Sequence, residues 1–159
     1  MKVVVAIDSL KGSLTSLEAG EAIQEGILRA ISDAEVIVRP LADGGEGTVE
    51  ALTRGMNGRY EKITVTDPLG RPTDAVYGIL EDSHTAVIEM LAAAGITLID
   101  AKDRNPMNTT TYGVGEMIKD AIGKGCRHFF IGIGGSATND GGIGMLQALG
   151  YGMLDTEGK

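Results

Sequence analysis

Near its start the chain runs from a β-branched stretch, Val3-Val4-Val5-Ala6-Ile7, into a polar loop, Asp8-Ser9-Leu10-Lys11-Gly12-Ser13, and on into a helical pattern. This order constrains the fold more than any other feature. A strand of uninterrupted apolar residues needs cover on both faces, and helices crossing between parallel strands supply it. Thr15 and Glu18 stand at the spacing of a capping box, and Ala19, Ile23, Ile27 and Ile31 recur every four residues as the stripe such a helix would bury. Val36-Ile37-Val38 restarts the cycle, which continues through Pro40-Leu41-Ala42-Asp43-Gly44-Gly45-Glu46-Gly47 and a weaker helix reaching Gly55. The pattern predicts a parallel α/β unit.

Beyond Tyr60 the pattern changes. Residues 63–66, 75–79 and 85–88 read as strands with no helix between them, joined by turn chemistry at Asp67-Pro68-Leu69-Gly70 and Glu81-Asp82-Ser83. They predict an antiparallel meander and a different subdomain. Helical character returns at 90–94. After Asn105-Pro106, residues 109–111 are placed to cap a helix with Val114, Ile118, Ala121 and Ile122 on its apolar face, ending at Gly123 and Gly125. Residues 129–133 form the next expected strand. The tail, Tyr151-Gly152-Met153-Leu154-Asp155, reads as one more strand entering a turn, with nothing after it to complete its surroundings, so a truncated chain is expected.

The chain holds 24 glycines in 159 residues, about twice ordinary usage, and they gather beside polar residues at the ends of elements. The densest group is Gly132-Ile133-Gly134-Gly135-Ser136-Ala137-Thr138-Asn139-Asp140-Gly141-Gly142, between a strand and a helical pattern, an arrangement suited to holding an anion on backbone N–H groups. In open α/β sheets ligands bind beyond the carboxyl ends of the strands. If the three strands are parallel, their loops place Asp8, Lys11, Ser13, Asp43, Glu46, Ser136, Thr138, Asn139 and Asp140 in one cleft. Carboxylates for a metal or a proton, a lysine and backbone donors are the components of phosphoryl transfer. Residues 132–137 also satisfy the dinucleotide fingerprint G-x-G-x-x-[GA], with Asp155 near the distance of a ribose-binding acid. A non-catalytic dinucleotide- or anion-binding module is therefore the alternative. No P-loop motif is present.

A net charge of −8 without a basic cluster argues against a nucleic-acid partner. No apolar run is long enough to span a membrane. One cysteine, Cys126, forbids an internal disulfide, fits a reducing, cytoplasmic compartment, and precedes an apolar strand as buried filler does. His84 and His128 lack metal-ligand spacing.

Five separated motifs, Asp8-Ser9-Leu10-Lys11-Gly12-Ser13, Ala42-Asp43-Gly44-Gly45-Glu46-Gly47-Thr48, Asp67-Pro68-Leu69-Gly70-Arg71-Pro72, Thr110-Thr111-Tyr112-Gly113 and the loop 132–142, closely resemble the bacterial glycerate kinase family. Leu10 departs from the usual Phe, apolar for apolar. Members of that family are more than twice as long, so the resemblance is to their N-terminal portion. It implies a Rossmann-like parallel α/β domain, begun by residues 1–59. A second, mixed α/β domain containing the meander would take residues 60–159, with a cleft between the two. If the loop 132–142 belongs to the second domain, it faces the other two loops across that cleft.

The resemblance further implies transfer of the γ-phosphoryl group of ATP, with Mg²⁺, to a hydroxyl of D-glycerate, and a fragment incomplete for catalysis. Lys11 would neutralise phosphate or carboxylate, and Asp8 or Asp43 would take the hydroxyl proton or hold Mg²⁺. Gly134, Gly135, Ser136, Thr138, Asn139 and Asp140, with Ser13 and Glu46, would bind substrate. Arg71 either clamps a carboxylate or is an exposed hairpin arginine. A homo-oligomer is a further expectation, because a missing half would leave apolar surface exposed.

Overall fold

The two β-branched runs pair as predicted. In the computed structural model, which describes residues 1–10 and 13–158, β1 (Lys2–Ile7) and β2 (Glu35–Pro40) form a two-stranded parallel sheet with Val3 opposite Val36 and Val5 opposite Val38. The crossover is α1 (Ser16–Ala30). Its capping box is complete: the Thr15 hydroxyl accepts from the Glu18 N–H at 3.2 Å, and the Thr15 N–H donates to the Glu18 carboxylate at 2.8 Å. Gly20 lets the helix settle onto the sheet, since a Cβ there would stand 2.5 Å from Val38 Cγ1. The predicted stripe is buried only in part. Ala19 is covered, but Ile23 and Ile31 remain 39% and 38% exposed, because two strands are too narrow to cover the face.

The meander forms a second sheet. Its strands β3 (Arg59–Thr66), β4 (Pro72–Leu80) and β5 (Thr85–Glu89) are antiparallel in sequence order, and β6 (His128–Gly132) joins parallel to β5. Between β5 and β6 run α3 (Leu91–Ala94) and α4 (Tyr112–Gly123). On one face Ala75, Tyr77, Ile79, Ala86 and Ile88 meet Val114, Met117, Ile118 and Ala121 of α4 in the main core, with Cys126 buried beside them. The opposite face carries Leu80 and Val87, as the strand period requires. Val49 and Leu52 of α2 (Thr48–Gly55) cover it. Thus α2, which follows β2 in sequence, packs chiefly on the second sheet.

The tail departs from expectation. Residues 151–155 form no strand, and Tyr151 and Leu154 are 64% and 70% exposed. The chain leaves α5 (Ile143–Ala148) through a Schellman cap: Gly150, at φ +101°, donates to Gln147, and the Tyr151 N–H donates to the Leu146 carbonyl. Those backbone groups are committed to the helix end. Among the described residues no helix is long and apolar enough to cross a membrane.

Where α2 meets β4, Gly78 touches Thr53, whose buried hydroxyl has no hydrogen-bond partner among the described residues. Gly78→Ala should cost about 1–3 kcal/mol by overpacking. Thr53→Val keeps the shape and removes an unsatisfied polar group, so it should be neutral or stabilising. Urea midpoints of the two variants check both outcomes.

Candidate functional site

The loops after β1, β2 and β6 do converge, but not along one sheet edge. Because β6 belongs to the second sheet, its loop faces the other two. The closest approach is between backbones. The Gly134 N–H donates to the Gly44 carbonyl at 3.1 Å. A Cβ at Gly134 would stand 2.7 Å from Gly45 Cα, and one at Gly132 would strike the Gly44 carbonyl oxygen. Part of the glycine signal is thus structural, since side chains on these residues would hold the loops apart. Between them lies a cavity of about 610 Å³, lined by Ser9, Asp43, Gly44–Glu46 and 131–135, with Leu91, Ile96 and Thr97 as a further wall.

A residue that sequence reading missed fixes this junction. Glu89 ends β5, is only 8% exposed, and accepts the Val49 N–H at 2.7 Å. Burial pushes its carboxyl above the usual range, the amides of Val49, Gly47 and Thr48 pull it back, and Glu46 raises it again. The α2 N-terminus, where a phosphate is often held, therefore already faces a protein carboxylate. Glu89 also pairs with Gly132 in the β5–β6 ladder. It thereby ties the loop 43–47 to the loop 132–135. Its position in the sequence, at the polar end of an apolar strand run, was the available signal.

The remaining predicted residues divide by place. Asp43, Glu46, Gly134 and Gly135 line the cavity, and the Asp43 carboxylate accepts the Gly45 N–H at 3.1 Å. Asp8 is not among its lining residues and accepts the Ser9 N–H at 2.7 Å. Ser13 lines an adjoining recess of about 220 Å³ with Ser9 and Glu46. Ser136 and Thr138 line another pocket, beyond Ile96. Asn139 is exposed near Met107, and Lys11 lies outside the described residues.

Asp140 is engaged within the protein. Its carboxylate accepts the Thr111 N–H and hydroxyl at 2.9 and 2.8 Å and the Gly142 and Gly144 N–H groups at 3.1 Å each, joining the starts of α4 and α5. Burial acts to raise its pKa, but these bonds outweigh it and hold the carboxyl below the usual range. Arg71 pairs at 2.7 Å with the buried Asp67 and donates to the Leu98 carbonyl, pinning the β3–β4 turn to the segment beside the cavity. Arg71 thus has a carboxylate partner within the β3–β4 turn.

No three His, Cys, Asp or Glu side chains converge to form a metal cage among the described residues. The oxygen donors Asp43 and Glu46 at the cavity suit a hard cation that also takes ligands from water and phosphate. The dinucleotide fingerprint lacks its structural context: α5 begins only at Ile143, after a loop that bridges Gly95 at Ser136, and Asp155 lies in the exposed tail.

Fold and site together define a two-sheet α/β protein with a cavity where the strand-end loops of both sheets meet. A family model described as the Glycerate kinase family matches residues 3–159, and the chain belongs to that family. It is 50% identical over 159 residues to a glycerate kinase of Haemophilus influenzae, 51% to one of Bacillus subtilis and 48% to a glycerate 2-kinase of Escherichia coli. Each match covers the whole chain and 42% of the relative, so the chain spans less than half the length of these relatives. A crystal structure provisionally described as glycerate kinase 2 of Salmonella typhimurium LT2 superposes with a TM-score of 0.90 at 49% identity, over 99% of this chain and 42% of that one.

Two outcomes test this construction. Glu89→Ala should lower stability by about 1–3 kcal/mol by orphaning the α2 amides, and Glu89→Gln, which keeps an acceptor, by less. Asp140→Ala should cost a similar amount, about 1–3 kcal/mol, at pH 7. Because the folded pKa of Asp140 is depressed, its stabilisation is complete above the unfolded value of about 3.9 and is lost as pH falls through the folded one. Wild type and Asp140→Ala should therefore converge in acid, as read from urea midpoints against pH.

Proposed function

We propose that the protein carrying this chain is an ATP-dependent glycerate kinase and that the 610 Å³ cavity belongs to its phosphoryl-transfer site. The observation that carries the proposal is the meeting of the loops 43–47 and 132–135 across that cavity, in a chain of this family. The glycerate hydroxyl attacks the γ-phosphorus of ATP, the bond to the ADP oxygen breaks, and the hydroxyl proton passes to a carboxylate. Asp43 takes that proton by preference over Asp8, because it lines the cavity. Lys11 offsets the charge of phosphate, and the amide of Gly135 donates to a substrate oxyanion. Mg²⁺, held by Glu46 together with phosphate oxygens and water, would supply charge neutralisation at the transferred phosphate.

Residues 1–59 are assigned to one α/β domain and 60–159 to part of a second, with α2 as the piece of the former that docks on the latter. The cytoplasm, which supplies ATP and keeps the Cys126 thiol reduced, is the assigned compartment.

In the full-length protein, Lys11→Ala and Asp43→Asn should each lower kcat/KM for glycerate at least about tenfold, roughly 1.4 kcal/mol of transition-state stabilisation. Coupled ADP release measures this, and near-normal turnover in either variant removes that residue from the mechanism.

A further inference from the structure

Ser136 and Thr138 line not the central cavity but a separate pocket of about 270 Å³, together with Arg104 and Asn105 and the apolar side chains of Ile96 and Ile99. The two hydroxyls bond to each other at 3.0 Å, and the Thr138 N–H donates to Ser136 Oγ at 3.2 Å. A mutual bond uses one of the two hydroxyl protons. The other has no acceptor among the described residues. Arg104 gives only its Nε–H, to the Ile99 carbonyl at 3.4 Å, and has no ion pair among the described residues, although the chain carries a net charge of −8. Asn105 uses its side-chain oxygen to accept the Met107 N–H, leaving its amide hydrogens undirected. The pocket is thus rich in unused donors, and no carboxylate lines it among the described residues. Its complement is a compact oxyanion.

We infer that this pocket holds the carboxylate of the hydroxy-acid substrate, an assignment that rests on the kinase reading. Arg104 engages the carboxylate through its guanidinium fork, and the free hydroxyl proton of the Ser136–Thr138 pair adds a third donor. The location suits the role. Ile96 lines both this pocket and the central cavity, and Ser136 directly follows Gly135 on the cavity wall. An acid anchored here directs its hydroxyl-bearing carbons toward the cavity where phosphate transfer is placed.

The test is a kinetic split in the full-length protein. Arg104→Met should raise the glycerate KM about tenfold or more while the ATP KM and kcat stay within about twofold, and Arg104→Lys should recover part of the loss. Ser136→Ala combined with Thr138→Val should raise the glycerate KM less. An unchanged glycerate KM in Arg104→Met, or equal rises in both KM values, overturns the assignment. A rise in the ATP KM alone also overturns it and gives the pocket to a nucleotide phosphate. Titration with glycerate alone, followed by the NMR signals of Thr138 and Arg104, keeps the two readings apart. Shifts in those signals without glycerate-dependent ADP release uphold the pocket and refute the kinase. ADP release with an unaltered glycerate KM in Arg104→Met does the reverse.

Discussion

The site depends on backbone meeting backbone. Gly44 and Gly45 approach Gly132 and Gly134 closely enough for an N–H···O=C bond between loops of different sheets, and no side chain could be inserted there without parting them. Glu89 closes the circuit by capping α2 from one side and pairing with Gly132 on the other. A buried carboxylate is unfavourable unless it is hydrogen-bonded, and the α2 amides meet that need while the carboxylate satisfies them. The cavity is the space this arrangement leaves open.

Electrostatics then divides the labour. With Glu89 already at the α2 N-terminus and Glu46 nearby, that helix end is poorly placed to attract a further anion. In the proposed function, attraction for an anion falls instead to Lys11, the amide of Gly135 and the Arg104 pocket. Arg71 and Asp140, both charged and both attractive in the sequence, hold turns and helix starts in place.

Much of the fold was legible because its signals are local. The Thr15–Glu18 capping box, the Asp67-Pro68-Leu69-Gly70 turn and the apolar alternation of the meander each depend on neighbours a few residues away. The tail failed for an equally local reason. Its β-like composition follows a Schellman cap, and composition does not reveal that the Tyr151 N–H is directed back to Leu146. The burial of Ile23 and Ile31 was misjudged because a stripe predicts a face, while its cover depends on the width of the sheet beneath.

By itself the sequence determined most of the elements, the parallel β1–β2 pair, the antiparallel meander and the three glycine-bearing loops, since periodicity, capping and turn chemistry are properties of contiguous residues. The loop motifs also pointed to the family through their order along the chain. Tertiary structure alone decided that α2 crosses to the second sheet, that the loop after β6 faces the others rather than lying beside them, and that Glu89 joins the two. It also separated Ser136 and Thr138 from the central cavity and set them beside Arg104. These outcomes turn on contacts between distant segments, such as Val49 with Glu89 or Gly134 with Gly44, where shape and hydrogen-bond accounting across the whole molecule select the partner.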